Sequence, residues 1–156
     1  MRLPCSIGAF FVCIAGPALA QAAGPGLTWT GTAGGATGSF FPTCTNLNVT
    51  MLPGDLVTVR IWGDFNSPFV LGTAASATQC LPIPGFGNGL VLDLPAYTVF
   101  GGLLTNVSPC LSCPPAFGFL TFTVPPTLPI GTSVSVQAIG VGNSQLSFTV
   151  AITATV

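Results

Sequence analysis

The sequence predicts an all-β protein, an antiparallel sandwich of about eight strands stapled by disulfides behind a cleavable signal peptide. Three observations carry this. Of 156 residues, 20 are Gly and 15 are Pro, scattered so that few helix-length stretches escape both, and Pro inside a helix costs about 3 kcal/mol. Apolar and small polar residues alternate with period two in several short runs, as half-buried strands do. Only 3% of residues are charged although 49% are hydrophobic, against about 25% charged in an ordinary soluble domain. Short strands at regular spacing with Gly/Pro turns between them point to a sandwich of Ig-like or Greek-key kind rather than a parallel sheet.

Residues 1–20 read as a secretory leader. Arg2 supplies the positive start, Ile7 to Ile14 a short apolar core, and Ala18-Leu19-Ala20 a small-x-small cleavage site after Pro17. Gly8, Gly16 and Pro17 leave the apolar run shorter than the roughly 20 residues of a membrane span. Cleavage is therefore expected, with no span after it and a secreted or cell-surface location. Removing the 20 leader residues from 156 leaves 136, one domain in size. Residues 21–43 read as an N-terminal strand with a Gly-rich lead-in, and 44–156 as the sandwich domain.

The strands follow in order. Leu27–Thr32 is a candidate ninth; Leu47–Met51, Leu56–Trp62, Phe69–Thr73, Leu90–Leu94, Tyr97–Leu104 and Gly118–Val124 are six of the eight. In the seventh, Val134, Val136 and Ala138 point inward, and Ser133, Ser135 and Gln137 outward. In the last, Leu146, Phe148, Val150, Ile152, Ala154 and Val156 alternate with Ser147, Thr149, Ala151, Thr153 and Thr155, which predicts one buried face and one wet face. Leu52-Pro-Gly-Asp55 before one strand is echoed by Leu128-Pro-Ile-Gly-Thr132 before another. Pro and Gly there predict two similar turns at related corners of the sandwich.

Four cysteines follow the leader: Cys44, Cys80, Cys110 and Cys113. An even number in an exported chain predicts disulfides. Three pairings are open, and the one favoured joins Cys44 to Cys80 and Cys110 to Cys113, the latter a small loop stiffened by Pro109, Pro114 and Pro115. Zinc usually takes two close Cys/His pairs, whereas there is one close pair and no His. A thioredoxin-like site would need a βαβ context.

The chain has two Arg and three Asp and no His, Lys or Glu. Nucleic-acid binding draws on several cations, and acid–base catalysis on His, Glu or Lys. Neither activity is expected, and no cofactor is implied. Arg60 is the only cation after the leader, so an ion pair with Asp55 or Asp64 is expected. Asp64-Phe-Asn66 has the oxygen spacing of a calcium loop, with Asn88 and Asp93 as further donors, but calcium wants six to eight oxygens. All the charges after the leader fall within residues 55–93. A ligand-facing site there would use Trp62, Asp64, Asn66, Phe86, Asn88 and Asp93.

Asn88-Gly-Leu-Val-Leu-Asp93, Pro109-Cys-Leu-Ser-Cys-Pro114, Phe122-Thr-Val-Pro125 with Leu128-Pro-Ile-Gly-Thr132, and Ser147-Phe-Thr-Val-Ala-Ile-Thr-Ala-Thr-Val156 together resemble β-sandwich modules of uncharacterised secreted proteins in planctomycete-like bacteria. The resemblance covers residues 44–156 and implies compartment and fold, with no activity to carry over. The expected function is a structural or interaction module with no catalytic activity, meeting its own copies or other exported or cell-envelope proteins. The alternative is a carbohydrate- or ligand-binding domain using residues 62–93, and a remote one is a glycan-acting enzyme.

Overall fold

Leu27 and Trp29, and Val57, Val59 and Ile61, stand at every second position of their segments, and all five are fully buried in one interior. Period-two burial of this kind needs a partner sheet on the apolar side. A computed structural model, which describes residues 24–109 and 113–156, supplies one. Its strands are β1 (Gly26–Gly31), β2 (Ala36–Ser39), β3 (Asn46–Thr50), β4 (Leu56–Gly63), β5 (Pro68–Ala74), β6 (Ala77–Pro82), β7 (Gly89–Leu92), β8 (Tyr97–Leu103), β9 (Asn106–Val107), β10 (Ala116–Thr123), β11 (Ser133–Gly142) and β12 (Gln145–Thr155). A front sheet runs β2-β1-β4-β10-β9, a back sheet β3-β12-β11-β5-β8, and β6 and β7 form a separate hairpin. The fold is all-β, as the alternation predicts.

Three findings correct the sequence-based expectations. First, the described residues hold twelve strands rather than about eight. Leu27–Thr32 does form a strand, and β2, β6 and β9 are additional. These three are short or built of Ala-Thr-Gly-Ser and Ala-Thr-Gln-Cys-Leu-Pro, with no apolar alternation to reveal them. Second, β1 lies between β2 and β4 in the front sheet, so residues 26–39 add two strands to the sandwich. Third, β3 joins β12 in parallel, Ala151 opposite Asn46 through Thr155 opposite Thr50, whereas the other pairs are antiparallel.

The wet face expected for β12 is covered. The β6–β7 hairpin lies on the outside of the back sheet, where Ala77, Val91 and Leu92 pack with Ala74 and Ala151. Gln137, expected outward, is on that side but only 3% exposed. Its Oε1 accepts from Val91 N at 2.8 Å, and its Nε2 donates to Gly89 O at 3.0 Å and Thr149 O at 2.8 Å. One amide side chain thus does what a strand edge would do, and fastens the third layer to the second.

The single inward face expected for Leu146 to Val156 is also broken. Gln137 pairs with Ala151 but Ile139 with Phe148, so Ala138 faces two residues, Thr149 and Val150. A bulge of this kind reverses which way the side chains point on either side of it. Val150, Ile152 and Ala154 enter the main core. Phe148 instead turns outward against Phe86, ring centroids 4.9 Å apart. Thr149 completes the bulge, its Oγ1 accepting from Ala138 N at 3.0 Å.

The echoed Pro/Gly segments do form matching turns. Asp55 N donates to Leu52 O and Thr132 N to Pro129 O, with Gly54 at φ 80° and Gly131 at φ 87°. They start β4 and β11, one central strand in each sheet. Cys44 and Cys80 are joined in a disulfide that ties β6 to the segment before β3. Gly89 lies against this bridge so closely that a Cβ there would come within 2.4 Å of Cys80 Sγ. Cys113 is disulfide-bonded as well; Cys110, its expected partner, and the leader at residues 1–20 lie outside the described residues.

Candidate functional site

Each carboxylate serves a turn. Asp55 is buried and accepts from Thr32 Oγ1 at 2.5 Å, Ala33 N at 2.9 Å and Gly34 N at 2.8 Å, which pins the β1–β2 turn. The Thr32 hydroxyl, with help from the backbone amides, holds its carboxyl below the ordinary value of 3.8 against the opposing effect of burial. Asp64 accepts from Asn143 N at 3.1 Å and Ser144 N at 2.8 Å. Those two residues form the β11–β12 hairpin turn, both at positive φ, 53° and 60°. Asp93 accepts from Ser76 Oγ at 2.6 Å and Thr78 Oγ1 at 2.9 Å, and these hydroxyls, Ser76 first, hold it below its ordinary value. It closes the open end of the β6–β7 hairpin. The ion pair expected of Arg60 with Asp55 or Asp64 is therefore not formed: neutral donors take both carboxylates, and Arg60 lies on the outer face of the front sheet. Among the described residues no three Asp or Cys groups gather.

The candidate ligand-facing residues of 62–93 are divided between two sides of the sandwich. Trp62 is on the outside of the front sheet. Asp64 and Asn66 sit in the β4–β5 turn, where Asn66 adopts φ 58° and its amide donates to Leu104 O. Phe86, Asn88 and Asp93 are on the outside of the back sheet. There Asn88 Nδ2 donates to Phe148 O at 3.2 Å and Gly87 N to Leu146 O at 3.0 Å, covering the edge of β12 that β3 does not reach. Sequence proximity within 62–93 does not become spatial proximity, because β4 and β5 belong to opposite sheets.

Among the described residues, no further layer lies on the outside of the front sheet. Its register sets Phe117 opposite Trp62, Phe119 opposite Arg60 and Thr121 opposite Thr58, with Thr28 on the other side of Arg60. Directly opposite residues have Cβ atoms about 4.5–5.5 Å apart, so these side chains form rows. Trp62 is held by Phe40 and Phe117, with ring centroids at 5.2 and 5.0 Å, and its Nε1 donates to Thr28 Oγ1 at 3.1 Å. Phe119 is half exposed. A depression of about 310 Å³ lies among Thr58, Arg60, Phe117, Phe119 and Thr121. Aromatic faces, a guanidinium and hydroxyls thus share one shallow surface. Trp62 and Arg60 stand out in the sequence; Phe117 and Phe119 do not, although they take the positions between Ala116, Gly118 and Leu120 that alternation assigns to the outward side.

The back sheet ends at β8, where Tyr97, Val99 and Leu103 are all more than half exposed and no charge occurs. No protein-family model matches the chain, and no curated protein matches its sequence. Among the described residues no helix is long and apolar enough to cross a membrane.

Proposed function

We propose that this chain is an exported, non-catalytic interaction module whose contacts are made by the outer face of the front sheet and the adjoining sheet edges. The observation that carries it is the asymmetry of the sandwich. Around Ala74 and Ala151 the outside of the back sheet is covered by the β6–β7 hairpin, whereas among the described residues no such layer lies on the front sheet, which presents half-exposed Phe119 beside Arg60 and rows of Thr. With its three acids tied to turns, the chain spends its few charges on the fold. Low net charge and open strand edges favour association, so the partners are further copies or other exported or cell-envelope proteins. The Cys44–Cys80 bridge and the likeness to secreted modules of planctomycete-like bacteria support the compartment. The mature, oxidised protein is expected to show a mass that rises with concentration in light scattering, and Phe119→Ser to lower it. A strict monomer at high concentration would count against self-association.

A second reading, glycan binding, is favoured by the Trp62–Phe117–Phe119 row next to Arg60 and the Thr hydroxyls. Aromatic faces suit the apolar faces of sugar rings, and the guanidinium and hydroxyls suit their oxygens. Glycan titration should then change Trp fluorescence in the parent protein and not in Phe119→Ala. A flat response across a broad glycan panel sinks it.

A further inference from the structure

The front sheet ends in an incomplete edge. β9 pairs with β10 only at Ala116 and Phe117, so β10 has no neighbouring strand on that side from Gly118 to Thr123. The two ends of the strand show which backbone groups are left open. Pro115 O and Phe117 O accept on the β9 side, from Ser108 N and Asn106 Nδ2, whereas Val124 N and O bond on the β4 side, to Asp55 O and Gly54 N. Successive residues of a strand turn their N–H and C=O to opposite edges, and the β10–β4 register runs without a shift. Phe119, Thr121 and Thr123 therefore each present an N–H and a C=O to the open edge. Natural edges are blunted by charge, Pro or a bulge, and residues 118–123 have none of these. Beneath the edge Leu120 and Phe122, with Val99 of β8 and Val134 of β11, line an apolar groove of about 360 Å³ between the sheets.

We propose that this edge takes β10 of a second copy, antiparallel across a two-fold axis that sets Thr121 opposite Thr121 of the partner subunit. This rests on the self-association reading above and names its seam. An isologous contact needs a surface complementary to itself. In this register Phe119 meets Thr123 of the partner subunit, so every open N–H faces an open C=O. A shift of two residues one way would call on Phe117 O, which Asn106 already holds. The opposite shift would set Phe119 against Pro125, which has no N–H. The chain leaves the strand line at Pro125 and turns toward β11 of the other sheet, where β9 of the partner subunit would continue that line. On the inner side Leu120 falls beside Phe122 of the partner subunit, over the groove. No charge lies on β10 or in the groove. Arg60, one strand in, would stay at least about 14 Å from its copy, three strand spacings, beyond the screening length of about 8–10 Å. The seam is smaller than the about 20–30 residues a side of a standard interface, so the dimer forms as concentration rises and stops at two chains.

The test uses the oxidised mature protein, whose mass in light scattering should level off at two chains. Thr121→Pro removes an N–H that β4 does not use, and Pro is tolerated on an edge strand. It should leave Trp fluorescence as in the parent and weaken the dimer about tenfold or more, since two hydrogen bonds are lost across the axis. A nitroxide on Thr121→Cys should be broadened by its mate, the opposite Cβ lying about 4.5–5.5 Å away, and should sharpen when diluted with unlabelled protein. The same label on Thr30→Cys, in the same row of the outer face but two strands from β10, should stay sharp. If Thr121→Pro fails to fold, the two labels decide. A protein that associates with a sharp label at 121 or a broadened one at 30, a mass that rises past two chains, or a folded Thr121→Pro that dimerises like the parent overturns the β10 seam and leaves the outer face as the site of association. A parent that stays monomeric at high concentration overturns both readings.

Discussion

Replacing Gln137 by Leu tests whether one side chain fastens the hairpin to the back sheet. The substitution is close in size, so packing changes little, but it removes the partner of Val91 N, Gly89 O and Thr149 O, all now bonded at 2.8–3.0 Å. A buried polar group left without a partner costs about 1–3 kcal/mol. Three such groups would cost about 3–9 kcal/mol if the backbone stayed fixed. The hairpin can escape part of this by lifting toward water, which gives up the contacts of Val91 and Leu92 with Ala74 and Ala151. The expected loss is therefore at the low end, about 3–4 kcal/mol, a large part of the 5–15 kcal/mol that holds an ordinary domain. With a urea dependence of about 2 kcal/mol/M, the midpoint should fall by about 1.5–2 M. Amide exchange gives the sharper assay, since Val91 and Leu92 should lose protection before Val57 and Val59 in the front sheet. A loss under about 1 kcal/mol with Val91 still protected would refute the fastening role.

Three further outcomes follow from the same contacts. Because Thr32 and the turn amides hold the Asp55 carboxyl below 3.8 in the folded protein, its contribution to stability is present above that value and is lost as pH falls through the lower, folded value. Asp55→Asn should therefore unfold more easily than the parent at pH 7 and show a flatter acid limb in urea titrations below about pH 4. Ser144, exposed at φ 60°, holds a conformation that L-residues other than Asn and Asp avoid. Ser144→Gly keeps the amide that Asp64 accepts and should stabilise by about 0.5–1 kcal/mol, raising Tm by about 2–5 °C in calorimetry. Cys44→Ser with Cys80→Ser removes a bridge across 36 residues of sequence, and loop-closure entropy sets the loss at about 3–4 kcal/mol, measurable as a urea midpoint that no longer responds to reductant at this pair.

The extended strands were legible because their patterns are local. Period two in Leu56–Gly63 and the turn residues of 52–55 and 129–132 depend on neighbours within the chain, and the structure agrees with both. The pairing of Cys44 with Cys80 was favoured from the sequence and is formed. What escaped was set by partners distant in sequence. Nothing near Thr149 announces a bulge, which exists only in register with Ala138. Gln137 reads as a solvent residue until β7, some 46 residues away, is laid over it. The residues of 62–93 are separated for the same reason: Asp64 and Asp93 accept from backbone and hydroxyl donors, and Asn88 donates to Phe148 O, each closing a turn or an edge.

The scarcity of charge acquires a physical explanation from the three layers. A sandwich with two wet outer faces has to solvate both, and charged side chains are the usual means. Here the back sheet's outer face is instead paired with a hairpin whose polar needs are met internally by Gln137, Ser135, Thr153 and Asn46: Ser135 and Thr153 share a 2.6 Å hydroxyl contact, and Asn46 Nδ2 donates to Ala77 O at 2.8 Å. The front sheet's outer face, the hairpin's exposed side and the β8 edge of the back sheet remain to be wetted. On the front sheet, Thr28, Thr58 and Thr121 provide hydroxyls that bond sideways, Thr58 to Thr121 at 3.2 Å, rather than charges that repel approaching surfaces. A face solvated in this way gives up its water easily. That is the physical property a contact surface needs, and it supports the proposed contacts through β4 and β10.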